Sequence, residues 1–240
     1  MNRHDVATTR PWVGDGTAVI LAAVDGLGDA EVRAPTLLAG WTRAHLVGHL
    51  ARNAEALARL ATWARTGVEN PMYAGPDQRD ADIDASAARS AAELRSDARI
   101  TADGLDDAFS RLDGGGWEAQ VRSAQGRAIP ASEIPWMRVR EVWVHAVDLN
   151  VGVTWTDLPT DLIDALADDV LETLGAGDAC PSAVLDPSDR VATWRLGPAS
   201  EPPVVVAGPG AALVAWLLGR SYGSTLVAAG GPLPHLPPWL

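Results

Sequence analysis

The sequence predicts a mainly α protein with a smaller α+β part: a four-helix bundle followed by a small α/β C-terminal domain. Three observations predict it. Apolar residues recur at helical spacing over four long stretches in the first two thirds of the chain. Stretches rich in Gly and Pro separate several of them. After Thr156 the pattern changes to one acidic helix and a series of short β-like runs. The expected domains are residues 1–155 and 156–240, sizes a chain of 240 residues accommodates easily.

Taken in order, the first helix is expected from Trp12 to Leu27, with Val13, Thr17, Ile20, Leu21 and Val24 as its buried stripe. Pro35 to Gly40 is a connection. Thr42 is an N-cap for a second helix that reaches Thr66 and stops at Gly67. Its core positions are Leu46, Leu50, Leu57, Leu60 and Ala61. A loop over 68–77 and a short helix over 80–87 lead to a third long helix from Ser90 to Leu112. Leu94, Ile100, Leu105 and Leu112 face its core side, and Gly114-Gly115-Gly116 breaks it. Residues 117–130 fit a short hairpin. The fourth helix runs from Pro135 to Leu149, with Ser132 as N-cap and Pro135 tolerated in the first turn. In the second domain a helix spans 157–175, with Leu162, Ile163, Leu166, Val170 and Leu174 on one face. Strands follow over 182–185, 190–196 and 203–207, then a helix over 211–218. The Pro-rich tail from Gly230 is irregular.

Composition narrows the function classes. The chain is 47% hydrophobic with a mean hydropathy near zero, which indicates a globular protein. A net charge of −12 argues against a nucleic-acid or anionic-membrane surface. All 19 basic residues are Arg. Schiff-base lysine chemistry is therefore excluded, and anionic groups must be held by guanidinium forks. Cys180 is the single cysteine, so no disulfide framework exists. The segment Met1-Asn2-Arg3-His4-Asp5 lacks the apolar region of a secretion signal, and no window is long and apolar enough for a membrane span, which makes the cytoplasm the expected location.

The polar residues on two of the helices carry the chemistry. On the fourth helix, Glu141 and His145 are four apart and share a face that Ile134, Met137, Val144 and Leu149 would otherwise make apolar. A carboxylate and an imidazole turned inward need partners, and a divalent metal is one such partner. The second helix carries His45, His49 and Asn53 in an i, i+4, i+8 row. A histidine from that row together with the Glu-xxx-His pair makes three ligands from two facing helices, a set that leaves a coordination position open.

The residues Gly40-Trp41-Thr42-Arg43-Ala44-His45-Leu46-Val47-Gly48-His49 and Asn53-Ala54 resemble the metal-binding second helix of the mycothiol-dependent maleylpyruvate isomerases. So do Trp63 to Gly67, Pro71-Met72-Tyr73, Ala124 to Arg127, Pro130 to Glu133, Trp136-Met137-Arg138, and Arg140 to Leu149. The terminal Pro237-Pro238-Trp239-Leu240 is similar too. The resemblance implies a DinB-like bundle with a small C-terminal domain. It implies zinc, or another divalent metal, bound by His49, Glu141 and His145, and a functional arginine at Arg220 from the C-terminal domain. The implied activity is conversion of maleylpyruvate to fumarylpyruvate in gentisate-type aromatic catabolism, with mycothiol as thiol cosubstrate.

That chemistry is coherent with the residues present. Cis–trans isomerisation of a conjugated enone needs a nucleophile that adds reversibly, so that the new single bond can rotate before elimination. Cys180 lies far in sequence from the ligand residues and reads as an unremarkable small residue, so the thiol comes from outside. Arg220 is the candidate for a substrate carboxylate or the enolate; it equally fits a helix end. Asp148 can orient His145, Asn53 can line the pocket, and Arg138 can contact substrate or pair with an acid. Two other functions fit the same scaffold: a mycothiol S-transferase acting on other electrophiles, and a non-enzymatic metal- or thiol-binding module.

Overall fold

The computed structural model describes residues 3–177, 179–199 and 202–239, with the backbone alone at Pro76. Met1, Asn2 and Leu240 of the terminal motifs lie outside the described residues. The chain divides into two compact units, the first ending at Val153 and the second beginning at Thr154.

The first unit is built on four long helices. Helix α1 (Val6–Asp25) starts earlier than the apolar stripe predicts, because Asp5 caps it: its carboxylate accepts from the Ala7 amide at 2.9 Å. After a one-turn helix α2 (Asp29–Val32) comes α3 (Arg43–Thr66). Thr42 caps its start, and Gly67, in the left-handed region at φ 70°, ends it. Next come α4 (Pro76–Ala87) and α5 (Ala91–Ser110), the latter opened by a Ser90–Glu93 capping box. Ile100 departs from expectation. The buried stripe of α5 is Leu94, Ala98, Thr101, Leu105 and Phe109, so Ile100 falls on the outer face and is 66% exposed. The three glycines do not simply break the chain. Asp113 accepts from the Gly116 amide at 2.8 Å and turns them into the first turn of a short helix α6 (Gly114–Glu118). A hairpin of β1 (Gln120–Arg122) and β2 (Ala128–Pro130) follows.

Helix α7 (Ile134–Asp148) is entered through a 3-10 turn, Ala131–Glu133. Ser132 lies inside that turn and does not cap the helix; the turn itself continues into α7 and Pro135 occupies its first turn. α3 packs on α5 and α7, and α1 on α7 and α5, which closes the bundle. Two glycines set the closest approaches. A Cβ at Gly16 would meet Val142 and Trp143 within 2.8 Å, and one at Gly48 would lie 2.6 Å from Ser86 Cβ on α4.

In the second unit, α8 (Thr160–Gly175) presents Leu162, Ile163, Leu166, Val170 and Leu174 to the interior. The sheet has the order β4-β3-β5-β6, formed by β3 (Ala183–Pro187), β4 (Trp194–Leu196), β5 (Val204–Gly208) and β6 (Val227–Ala228). β3 and β5 run parallel and the other pairs antiparallel. β6 adds an edge strand that the sequence pattern does not reveal, being two residues long. Helix α9 (Gly210–Leu217) connects β5 toward it. No helix among the described residues is long and apolar enough to cross a membrane.

Candidate metal centre

α3 and α7 bring three side chains to one point. His49 Nε2 lies 2.7 Å from Glu141 Oε2, and His145 Nε2 lies 3.2 Å from the same oxygen. The two imidazoles are nearly perpendicular, with centroids 5.1 Å apart. One ligand atom from each residue lies within 4.8 Å of the others. Arg43 fixes the relation of the two helices at this end. From the start of α3 it donates to the Leu149 and Asn150 carbonyls at the end of α7, at 3.0 and 2.7 Å.

The surroundings set the charge of each group. Burial lowers the pKa of His49, and the neighbouring His145 and Arg79 push the same way against Glu141. His49 is thus a neutral imidazole at physiological pH, the form that binds metal. Burial would raise the Glu141 carboxyl, but the two histidines outweigh it and hold it well below the usual carboxylate range. Burial would also lower His145. Hydrogen bonds to Asp148 and Glu141 overcome that and raise it to about 9. The Asp148 carboxylate, fully buried, sits 2.9 Å from His145 Nδ1, which leaves Nε2 turned to the cluster. The donor set fits a divalent metal: two imidazole nitrogens and an ionised carboxylate oxygen converge, and the Glu141 side chain stays 26% exposed, so one side is open to a ligand.

Other predicted residues have distinct places. Arg138 is buried on α7 and donates through Nη1 to the Leu50 carbonyl at 2.8 Å and Asn53 Oδ1 at 2.9 Å. Burial pulls its pKa down to about 10, so it stays charged, and it struts α7 against α3 beneath the cluster. His45 serves its own helix end, with Nδ1 2.7 Å from the Thr42 hydroxyl. Arg220 lies in the second unit, directly after α9. Gly219 adopts φ 69°, and the Gly219 and Arg220 amides donate to the Trp216 and Ala215 carbonyls, a Schellman turn. Its Nη1 reaches the Leu218 carbonyl at 3.4 Å. Cys180 is buried, and burial pushes its thiol up.

Three neighbours of the cluster escape sequence reasoning as site residues. The Trp41 ring packs edge-on against His49 at 5.4 Å. Arg79 Nη2 lies 3.4 Å from His49 Nδ1. Burial raises the pKa of the Tyr73 phenol, and the nearby charge of Arg79 works against that rise. Trp41 and Tyr73 carry a sequence signal, through the Gly40-to-His49 and Pro71-Met72-Tyr73 motifs; Arg79 carries none.

The family model of the mycothiol maleylpyruvate isomerase N-terminal domain matches residues 13–150, and that of the MDMPI C-terminal domain matches residues 157–238. The chain belongs to this family. A crystal structure described as the mycothiol-dependent maleylpyruvate isomerase is 33% identical, covers 100% of both chains and superposes with a TM-score of 0.92. A structure of a histidine-to-alanine mutant of that enzyme is 32% identical at the same coverage and TM-score. No curated protein sequence matches the chain. Family membership thus agrees with the resemblance carried by the residues around His49 and Glu141, and with the helical bundle and small α/β unit.

Proposed function

We propose that this protein is a cis–trans isomerase that converts maleylpyruvate to fumarylpyruvate with mycothiol as cosubstrate, in gentisate-type aromatic catabolism and in the cytoplasm. The observation that carries the proposal is the convergence of His49, Glu141 and His145, in a family member that matches an isomerase along its whole length. In this reading residues 1–155 hold the metal, zinc being the ion the donor set suits, and residues 156–240 contribute Arg220.

A bound divalent ion supplies a place for a thiolate and brings thiol deprotonation toward neutral pH. The external thiolate adds to the cis double bond of the substrate, and the electron pair moves into the conjugated carbonyl as an enolate. The new single bond rotates, and loss of the thiolate restores the double bond as trans. The chain's own residues make this possible. His49, neutral in its buried position, and Glu141, held ionised, need no proton loss to act as ligands. Asp148 fixes the ring of His145. Trp41 covers one side of His49. Arg220 is assigned to a substrate carboxylate or the enolate, where a guanidinium fork stabilises developing charge. Cys180, buried and with a raised pKa, is no substitute for the external thiol.

The test is turnover of maleylpyruvate by zinc-loaded protein with and without mycothiol. Conversion that needs catalytic thiol and consumes none is expected. Accumulation of a thioether instead would identify an S-transferase, and thiol binding without turnover would identify a binding module.

A further inference from the structure

Arg79 has no task in the mechanism above, yet the fold places it with care. α4 approaches α3 closely because Gly48 presents no Cβ toward Ser86. That approach sets the Arg79 guanidinium against His49, the most buried of the three ligand side chains. Tyr73, on the connection between the two helices, is an electrostatic neighbour of Arg79. The imidazole is no counter-ion. The carboxylate partner of Arg79 is Asp80, the next residue, at 2.9 Å and with a side chain 73% exposed. A solvent-exposed pair of this kind contributes little and is readily exchanged for another carboxylate. The Arg79 side chain is itself 35% exposed, so it is held at one end and reachable at the other.

The charges call for such a group. Two neutral imidazoles, one carboxylate and a divalent ion carry a net charge of plus one, whereas a dicarboxylate and a thiolate bring minus three. The chain has no lysine to make up the difference, and Arg138 is buried and spent on Leu50 and Asn53.

We propose that Arg79, set beside His49, is a substrate-binding residue that takes one carboxylate of the dicarboxylate beside the His49–Glu141–His145 cluster. The inference rests on the isomerase reading for the class of its ligand. A guanidinium offers that carboxylate two parallel N–H donors, while Trp41 and Tyr73 supply aromatic surface next to it.

The experiment is calorimetric titration of metal-loaded protein with maleate and with its monoamide, maleamate, in the parent and in Arg79→Ala, Arg79→Lys and Tyr73→Phe, with metal content measured throughout. The parent is expected to prefer maleate. Arg79→Ala should bind maleate about tenfold more weakly or worse and lose most of that preference, with metal content unchanged. Arg79→Lys should recover part of it, and Tyr73→Phe should lose only about threefold. In turnover, Arg79→Ala should raise KM for maleylpyruvate and leave KM for the thiol alone. Parental maleate affinity in Arg79→Ala, alongside loss in Arg220→Ala, overturns the role of Arg79 and leaves the isomerase reading standing. Loss of metal with unchanged maleate affinity per bound ion also overturns it, because Arg79 would then act through His49. A parent that binds no dicarboxylate overturns both.

Discussion

The two units treat buried polarity differently. The bundle encloses His49, Asn53, Arg138 and Asp148, each held by a named partner and all within one region of α3 and α7. The C-terminal unit encloses an apolar interior of Leu162, Ile163, Leu166, Leu185, Val206 and Leu213, its buried polar side chains among the described residues are Asp169 and Ser182, and Arg190 and Arg220 serve a turn and a helix end. Arg190 joins Asp164 and Asp189 near the start of α9, and Arg220 follows its end. Burying a polar group costs free energy unless it is paired, so a cluster of such groups marks where the fold gives up stability for a site. By that measure the bundle declares its function in its packing, and the C-terminal unit hides any contribution in groups that also have plain structural roles.

The largest effects are expected at the ligands. His49→Ala and His145→Ala should abolish metal loading and lower kcat/KM by about three orders of magnitude or more, roughly 4 kcal/mol of transition-state stabilisation. Helical content should stay near parental, as read by circular dichroism, since each removes only one side chain from a long helix. Full metal occupancy in both variants would refute the ligand assignment.

The next largest effect tests whether the C-terminal unit is more than structural. Arg220→Ala should keep metal and fold, because the turn after α9 is made by main-chain bonds, yet lower kcat/KM by about two orders of magnitude, roughly 3 kcal/mol. Arg220→Lys should restore only part of it. Parental turnover in Arg220→Ala would leave Arg220 as a helix-end residue.

Proton linkage sharpens the contrast within the cluster. In the metal-free protein His145 is protonated below about 9, whereas His49 is neutral. Metal must displace the His145 proton, so apparent metal affinity should rise with pH by about tenfold per unit below that value and level off above it. Calorimetry in buffers of different ionisation enthalpy should show about one proton released per ion near neutral pH. Asp148→Asn removes one of the two groups that raise His145. It should flatten this dependence and weaken metal binding by about 10–100-fold. A pH-independent affinity in the parent would contradict the assigned charge state.

The smallest effect is expected at Cys180. Cys180→Ser buries a hydroxyl in place of a thiol and should cost about 1–2 kcal/mol of stability in a denaturant titration. Activity should stay within about twofold of parental, since burial raises the thiol pKa and keeps it from serving as nucleophile. Loss of activity with normal stability would make the nucleophile internal.

The second and fourth bundle helices were readable in the sequence because their polar residues interrupt apolar faces, and because Thr42 and Gly67 mark the ends of α3 in side-chain and backbone chemistry. Ile100 misleads because an apolar residue two positions beyond Ala98 points to the opposite side of α5. The glycine triplet misleads because Asp113 supplies the cap that makes helix affordable there. Arg79 was invisible: it stands thirty residues from His49 on a different helix, and only the close approach allowed by Gly48 brings them together. β6 carries no periodic signal at two residues and exists through its pairing with β5.

A metal held by the bundle cluster would leave room for an external thiolate. The near-ultraviolet spectrum of cobalt(II)-substituted protein during titration with mycothiol reads that position directly. A thiolate-to-cobalt charge-transfer band that grows to one thiol per ion, and that is missing in His49→Ala and unchanged in Cys180→Ser, is the predicted result. Cobalt that binds without developing such a band, or a band that survives in His49→Ala, would contradict the account.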